Sequence, residues 1–145
     1  MGMQLIFVLE TNKKCKSDWI YIKDTIEYFY NIDANNIKFT QVYMDGKGNF
    51  KNKQKEINKN IDQYAKGASN GNSKVICCLD SDDYDINMEA IKFLNEAFKF
   101  CNDNKYELIW FCKDIERVYL RKKVVKDEKK KEAGKFKANK TIRNI

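Results

Sequence analysis

Three acidic residues stand directly after apolar runs, and their type and placement suit metal chemistry. Glu10 follows residues 4–9 (QLIFVL), whereas Asp80 and Asp82 follow residues 74–79 (KVICCL). Carboxylate oxygens are the ligands that Mg²⁺ prefers, and grouped carboxylates repel one another unless a cation neutralises them. Any one of these acids alone could equally be a helix cap or a solvated loop residue. Together they predict a shared Mg²⁺ site, provided that the two runs are neighbouring strands.

Other common site chemistries lack their residues in this sequence. There is no histidine and no CxxC pair, so zinc sites and histidine-based catalysis lack their usual groups. Five cysteines, mostly inside apolar stretches such as Cys77-Cys78, indicate reduced core thiols rather than a disulfide framework. The apolar run at residues 5–9 is too short for a signal peptide or a membrane span. The sequence therefore predicts a cytoplasmic protein with no membrane partner, in which carboxylates and lysines carry any chemistry.

The pattern of apolar residues predicts strands that alternate with helices. Strands are expected at residues 4–9, 37–44, 74–79 and 106–112. Helices are expected from Ser17 or Asp18 to about residue 30, over about 52–66, after a cap at Asn87, and from 114 to about 122. This order is typical of an α/β fold, with a four-stranded, mainly parallel sheet flanked by helices in three layers. We assign one domain to residues 1–120, because the chain is too short for a second.

The carboxyl ends of the strands explain why the acids would meet. In open α/β sheets, ligands bind just beyond these ends. The i, i+2 spacing of Asp80 and Asp82 would aim both side chains to one side of an extended segment. Glu10 joins them if the first and third strands are neighbours. The sequence alone does not determine that pairing.

The same arrangement resembles a known family. A strand ending in Glu10, then βαβα, then a strand ending in Asp80-Ser-Asp82, and a final helix and strand resemble the Toprim domain of topoisomerases, primases and related nucleases over about residues 4–112. Residues 10–18 (ETNKKCKSD) resemble its Glu-Gly-x-x-(Asp/Glu) stretch, in the longer-loop variants of overcoming-lysogenization-defect and RloB-like nucleases. The resemblance implies a Mg²⁺- or Mn²⁺-dependent, nuclease-like protein acting on nucleic-acid phosphodiesters. A role in defence or in mobile-element biology is implied by the resemblance alone.

Site residues follow from that resemblance position by position. Glu10 takes the place of the general acid/base and lies near the metal, while Asp80 and Asp82 take the places of the metal ligands. Asp83 is an adjacent candidate ligand. Lys16 and Asp18 are secondary candidates, Lys16 as a catalytic cation. Thr11 stands where the family has glycine, which favours an alternative: a non-catalytic nucleic-acid- or protein-binding module with the same fold.

Charge is concentrated at the C-terminus. Residues 121–145 contain eleven Lys/Arg and three acids, within a chain whose net charge is +7. We expect this basic tail or helix to be solvated or ordered by a partner, and its first basic residues to contact a nucleic-acid backbone; these are Arg121, Lys122, Lys123 and Lys126. A merely solubilising tail remains the alternative. The sequence also leaves open a homo-oligomer or a protein partner.

Three further side chains are expected to have structural roles rather than roles in a site. Trp110 is expected in the core, and Trp19 is expected to be partly exposed near a helix start. Glu116 is expected on an exposed helix face, paired with a nearby base such as Lys113.

A flavodoxin- or receiver-like domain would also group acids at strand ends, but the Thr/Ser and Lys of the receiver pattern are missing from the later strands.

Overall fold

A computed structural model describes residues 2–67 and 70–144 of the chain. The ends of the assigned domain and tail, Met1 and Ile145, lie outside the described residues, as do Ala68 and Ser69. The described strands are β1 (Met3–Leu9), β2 (Ile37–Tyr43), β3 (Asn72–Asp80) and β4 (Glu107–Phe111), in the sheet order β2-β1-β3-β4. Every neighbouring pair is parallel. The α/β fold with a four-stranded sheet is thereby confirmed.

Helices occupy the connections, largely where the pattern predicts them. They are α1 (Ser17–Phe29), α2 (Gln54–Lys66), α3 (Met88–Asp103), α4 (Ile115–Leu120) and α5 (Lys129–Ala138), with short 3-10 turns at Lys47–Lys53, Lys126–Glu128 and Thr141–Asn144. The Asn87 cap is confirmed, since its side chain accepts hydrogen bonds from the amides of Glu89 and Ala90. None of the helices in the described part is long and apolar enough to cross a membrane.

Two apolar layers sandwich the sheet, because alternate strand residues face opposite sides. Ile6, Val8, Cys77 and Leu79 face α2 and α3, whose buried side chains in this layer are Ile57, Ala97 and Cys101. Phe7, Leu9 and Cys78 face the opposite layer, which is formed by α1, α4 and α5. Asp80 continues the alternation of Cys78 and therefore points toward that second layer.

The C-terminal segment is part of the core. Phe136 of α5 is 2% exposed and packs against the rings of Tyr21 and Tyr119, with centroids 5.0 and 5.4 Å away. Ala133 and Ile142 are also buried in the layer over α1. The expectation of a solvated or partner-ordered tail is therefore wrong for residues 129–142. This segment contains few apolar residues among many lysines, so its narrow apolar helix face was not recognised from the sequence.

Two tryptophan predictions are wrong. Trp110 is 38% exposed and contacts Tyr84 edge-on, with ring centroids 5.3 Å apart. It lies on β4, which is an edge strand and is therefore covered less completely than the central strands. Trp19 is 9% exposed, because it packs on Phe7 and Phe39 over the sheet.

Candidate active site

Glu10 and Asp80 meet at the carboxyl ends of β1 and β3. The two strands are neighbours, with Leu9 opposite Cys78 in the register. The backbone amide of Asp80 donates a 2.6 Å hydrogen bond to Oε1 of Glu10. Oδ1 of Asp80 accepts a hydrogen bond from the amide of Ile115 at 2.9 Å. Two of the predicted site residues are thus brought together by strand pairing, as their positions required.

Two further carboxylates approach from the first turns of helices. Asp18 in α1 is 7% exposed, and its Oδ2 accepts a hydrogen bond from the amide of Thr11 at 3.4 Å. Glu116 in α4 is 1% exposed, and its charge acts on both Asp18 and Asp80. Acidic groups suit the positive end of a helix. We refer to Glu10, Asp18, Asp80 and Glu116 as the acid cluster.

Glu116 is the residue that sequence reasoning undervalued. Its expected exposed position and its pairing with Lys113 are both wrong. α4 begins shortly after β4, which lies beside β3, and the amide of Ile115 bonds to Asp80. This contact holds the first turn of α4 beside Asp80. The sequence feature that could have indicated the start of α4 is Asp114, whose side chain caps this helix by accepting a hydrogen bond from the amide of Arg117.

Burial and mutual repulsion make the acid cluster unfavourable when it is fully ionised. Desolvation, followed by the charge of Glu116, raises the pKa of Asp18 to about 6. Desolvation, then the charges of Glu10, Asp18 and Glu116, raises the pKa of Asp80 well above its usual range. The amide of Ile115 opposes that rise by bonding to the ionised carboxylate. The site therefore favours binding a proton or a cation.

A lysine from α5 lies against the acid cluster. Nζ of Lys129 is 3.4 Å from Oε1 of Glu116. Burial alone would lower the pKa of Lys129, but the charges of Glu116, Asp80 and Asp18 raise it overall. Lys16, the predicted catalytic cation, is exposed at the start of α1 with φ of 55°. Lys129, by contrast, is a basic residue whose contact with the acid cluster the structure describes.

Asp82 and Asp83 follow the end of β3 and line a neighbouring cavity. β3 ends at Asp80, and Asp82 has φ of 50°, so the extended geometry that would align Asp82 with Asp80 stops between them. The amide of Asp82 donates a 2.7 Å hydrogen bond to the carbonyl of Lys113. Both aspartates line a cavity of about 460 Å³ whose lining also includes basic side chains; these are Lys113, Arg117 and Lys123.

Two carboxylates of the acid cluster, those of Glu10 and Asp80, offer the hard oxygen donors that a divalent cation such as Mg²⁺ takes. Across residues 2–67 and 70–144, no group of three or more His, Cys, Asp or Glu side chains is positioned to hold a metal ion. Mg²⁺ needs fewer, because it commonly binds through one or two carboxylates and completes its shell with water and substrate phosphate. Glu10 and Asp80 are such a pair.

Buried oxygens around the cluster lack hydrogen-bond partners. Among the described residues, the hydroxyl of Tyr21 and Oγ1 of Thr11 are buried and make no hydrogen bond, whereas the buried Oε1 of Glu116 is paired with the ammonium of Lys129. Burial, followed by the charges of Glu116, Glu132 and Asp18, raises the pKa of Tyr21. Unsatisfied buried oxygens are uncommon, and a bound water or ion is one of the physical explanations for them. This supports the fit of a hydrated cation.

No protein-family model, curated protein or solved structure matches the chain. The Toprim resemblance consequently stays a prediction, made from the motif and its placement.

Proposed function

We propose that the acid cluster is a Mg²⁺- or Mn²⁺-dependent site that acts on nucleic-acid phosphodiesters in a Toprim-like, cytoplasmic protein. The observation that carries the proposal is the contact between Glu10 and Asp80 at the ends of neighbouring parallel strands. Ligand sites of open α/β sheets lie at this edge. A cytoplasmic location agrees with the free state of all five cysteines, each of which lies in the described residues.

Each carboxylate has a distinct role in this proposal. Glu10 and Asp80 would hold the cation, and a bound Mg²⁺ would polarise the scissile phosphate as a Lewis acid. Glu10, whose Oε1 is oriented by the Asp80 amide, also handles the proton of the attacking water. Asp18 and Glu116 add negative charge from the neighbouring helices. Asp82 and Asp83 remain candidate ligands for a cation that accompanies substrate phosphate at the adjacent cavity.

Basic side chains supply contacts for the substrate backbone. Lys113, Arg117 and Lys123 line the cavity beside the ends of β3 and β4. Arg117 also pairs with Asp114, Nε lying 3.4 Å from Oδ2, which orients its guanidinium. Phosphate contacts of this kind position a nucleic acid without reading its sequence. We therefore expect weak dependence of the activity on sequence.

A cleavage assay tests the proposal. The purified chain is incubated with single- and double-stranded DNA and RNA in Mg²⁺, Mn²⁺ or EDTA. Cleavage should need the metal and should fall at least about 100-fold in Glu10→Gln, since a positioned proton carrier contributes about that factor. It should also fall in Asp80→Asn, which loses a ligand of the cation. Asp62→Asn, an exposed acid on α2, is the matched control. Cleavage that survives both substitutions, or that persists in EDTA, contradicts the proposal.

A non-catalytic nucleic-acid-binding module is the second candidate. It is favoured by Lys129, whose ammonium already neutralises part of the acid cluster. Thr11, in place of the family's glycine, favours it too. In that case the chain binds nucleic acid in a salt-sensitive manner without cleaving it, and Asp80→Asn leaves the affinity unchanged.

A further inference from the structure

The outer side of β4 is unprotected, in contrast to the other edge of the sheet. Among residues 2–67 and 70–144, no strand pairs with β4 on the side away from β3. Natural sheet edges are guarded by lysine, proline or bulges, which stop another chain from adding a strand. β2, at the opposite edge, exposes Lys38 and no large apolar side chain. β4 contains neither lysine nor proline, and it exposes Ile109 and Trp110.

The backbone groups that a further strand needs belong to Leu108 and Trp110. The carbonyl of Phe111 points toward β3, because it accepts a 3.0 Å hydrogen bond from the amide of Ser81. In a parallel strand, successive residues direct their backbone groups to alternate sides. The odd-numbered residues of β4 therefore bond to β3, whereas the amide and the carbonyl of both Leu108 and Trp110 point outward. We refer to this outer side of β4 as the β4 edge.

Exposed apolar side chains flank the β4 edge on one face of the sheet. Ile109 is opposite Cys78 in the register, so its side chain faces the layer of α1, α4 and α5. Val118 of α4 belongs to the same layer of helices. Ile109 and Val118 are each 44% exposed. A strand added to the β4 edge would cover apolar surface here as well as backbone groups.

The other face of the sheet has a matching apolar border. Trp110 faces the layer of α2 and α3, because successive strand residues alternate between the two faces. Ile91 and Phe98 of α3 are also exposed, and their spacing of seven residues places them on one side of the helix. Phe93 lies on the opposite side of α3 and packs on Phe50, in the segment that leads into α2. Ile91 and Phe98 therefore border the sheet on the side of β4.

We propose that the β4 edge pairs antiparallel with the β4 edge of a second copy of this chain, so that two four-stranded sheets join into one. Such a pair has a two-fold axis, which brings the same surface of each copy together. The charges at the two ends of β4 favour this occupant. β4 begins with Glu107, and Lys113 follows its end. Antiparallel pairing brings Glu107 of each copy to the end where Lys113 of the other lies, so the edge complements itself.

This pairing goes beyond the proposed function and does not depend on it. The β4 edge contains no member of the acid cluster, and the pairing needs no metal ion. The carboxyl ends of the strands in the two copies point in opposite directions, so the two acid clusters lie at opposite edges of the joined sheet. The proposed function can therefore fail while the pairing holds, and the reverse.

Sedimentation velocity on the full chain tests the pairing. The unaltered chain, 17.2 kDa as a single copy, should approach twice that mass as its concentration rises from about 1 µM to about 1 mM, a range that spans weak and moderate affinities. Ile109→Lys should raise the Kd at least about 100-fold, because the two-fold axis uses this residue twice and each loss of apolar burial is worth about tenfold. Phe29→Lys, the matched change at an exposed residue of α1, should leave the Kd unchanged.

Two outcomes of that measurement overturn the proposal. A single-copy mass of the unaltered chain over the whole range overturns it, and leaves the β4 edge as a surface for an extended peptide of another protein. A dimer that Phe29→Lys weakens as much as Ile109→Lys does is formed through a different surface.

A charge exchange tests the antiparallel orientation. Glu107→Lys and Lys113→Glu should each raise the Kd of the dimer, because each places like charges at the same end of the paired strands. The double variant restores opposite charges there and should restore the Kd. A double variant as weak as the sum of the two single changes overturns the antiparallel match.

Hydrogen exchange decides the pairing without a substitution, and therefore even where a variant does not fold. The amides of Leu108 and Trp110 should exchange more slowly in a concentrated sample than in a dilute one. The amides of Phe39 and Gln41 are the internal control, since they point outward on β2, where the amide of Met44 bonds to β1. Their exchange should not depend on concentration. Equal exchange of Leu108 and Trp110 at both concentrations overturns the pairing.

Discussion

The backbone amide of Asp80 donates a 2.6 Å hydrogen bond to Oε1 of Glu10 and so ties the end of β3 to the residue that follows β1. Hydrogen bonds to an ionised acceptor are stronger than neutral ones. The same contact brings two carboxylates together in a partly buried place, where burial and then the charge of Glu10 raise the pKa of Asp80. Glu10 therefore has a structural role and an electrostatic role, and substitutions can separate them.

Mg²⁺ should stabilise the unaltered chain but not Glu10→Gln. Glutamine keeps an oxygen that can accept the bond from the Asp80 amide, so the metal-free fold should be retained, but it lacks the charge that binds Mg²⁺. At free Mg²⁺ one hundred times its Kd, one site adds about 2.7 kcal/mol to the free energy of unfolding. Urea unfolding in EDTA and in Mg²⁺ measures the difference. Asp62→Asn should respond as the unaltered chain, and an equal gain in Glu10→Gln would remove Glu10 from the site.

The metal-free chain should lose stability between about pH 4 and pH 6 because of Asp18. Its pKa is raised from 3.8 to about 6 by burial and by Glu116. The unfolded chain therefore loses this proton at lower pH than the folded chain does, and ionisation of the folded state costs stability as the pH rises through that window. The cost approaches about 3 kcal/mol above pH 6, at 1.36 kcal/mol per pKa unit.

Asp18→Asn provides the measurement for this pH dependence. Urea unfolding in EDTA at pH 4 and at pH 7 should show the variant gaining stability relative to the unaltered chain as the pH rises. The asparagine side chain would keep an oxygen for the Thr11 amide, so the comparison isolates the charge. A stability difference that does not change with pH would contradict the assigned environment of Asp18.

The strand ends were predictable from sequence, but the helix ends around the acid cluster were not. Continuous apolar runs locate β1 and β3, and the acids that follow them fall at the carboxyl edge of a parallel sheet. Whether β1 and β3 are neighbours depends on long-range pairing. Asp18 was named as a secondary candidate because residues 10–18 resemble the Glu-Gly-x-x-(Asp/Glu) stretch of the Toprim family. Glu116 was expected on an exposed helix face, because the direction in which α4 leaves β4 is a tertiary property that the sequence does not show.

Lys129 and Asp82 are two more residues whose surroundings could not be predicted from the sequence, Lys129 because of tertiary packing and Asp82 because of its backbone conformation. Lys129 lies in a segment whose lysine content predicts solvation, and only the burial of Phe136 brings it to Glu116. Asp82 was expected beside Asp80 from the i, i+2 spacing, which holds only while the backbone stays extended. The left-handed conformation of Asp82 ends that alignment, and a backbone dihedral of a single aspartate is weakly encoded by sequence.

Phe136→Ala should destabilise the whole domain. Phe136 is 2% exposed and contacts the rings of Tyr21 and Tyr119, so its truncation leaves a cavity in the layer over α1. Burial of this kind is worth about 3–5 kcal/mol for Phe→Ala. Lys137→Ala, at the exposed neighbouring residue, should change the free energy of unfolding by less than about 0.5 kcal/mol. Equal stability of the two variants would show that α5 does not belong to the cooperative core.

The exposed lysines on α5 and directly after it should contribute most of the affinity for nucleic acid. Lys130, Lys137 and Lys140 are exposed, and replacing all three by alanine should lower the affinity for duplex DNA and its dependence on salt. Each lost phosphate contact reduces the slope of log K against log salt by about 0.9. Fluorescence anisotropy over a series of salt concentrations measures both quantities, and circular dichroism verifies that each variant is folded.

A charge-matched variant distinguishes this surface from general attraction. Lys55, Lys59 and Lys66 are exposed on α2, which covers the opposite face of the sheet, and their replacement by alanine removes the same net charge. Removing three positive charges weakens the general attraction to DNA, so both triple variants should lose the same small part of the affinity at low salt for this reason. The α5 variant should lose further affinity, because it also loses direct phosphate contacts. Only the α5 variant should lose salt slope, since only its lysines displace counter-ions at the contact. Equal slopes in the two variants would place the nucleic-acid contact elsewhere on the molecule.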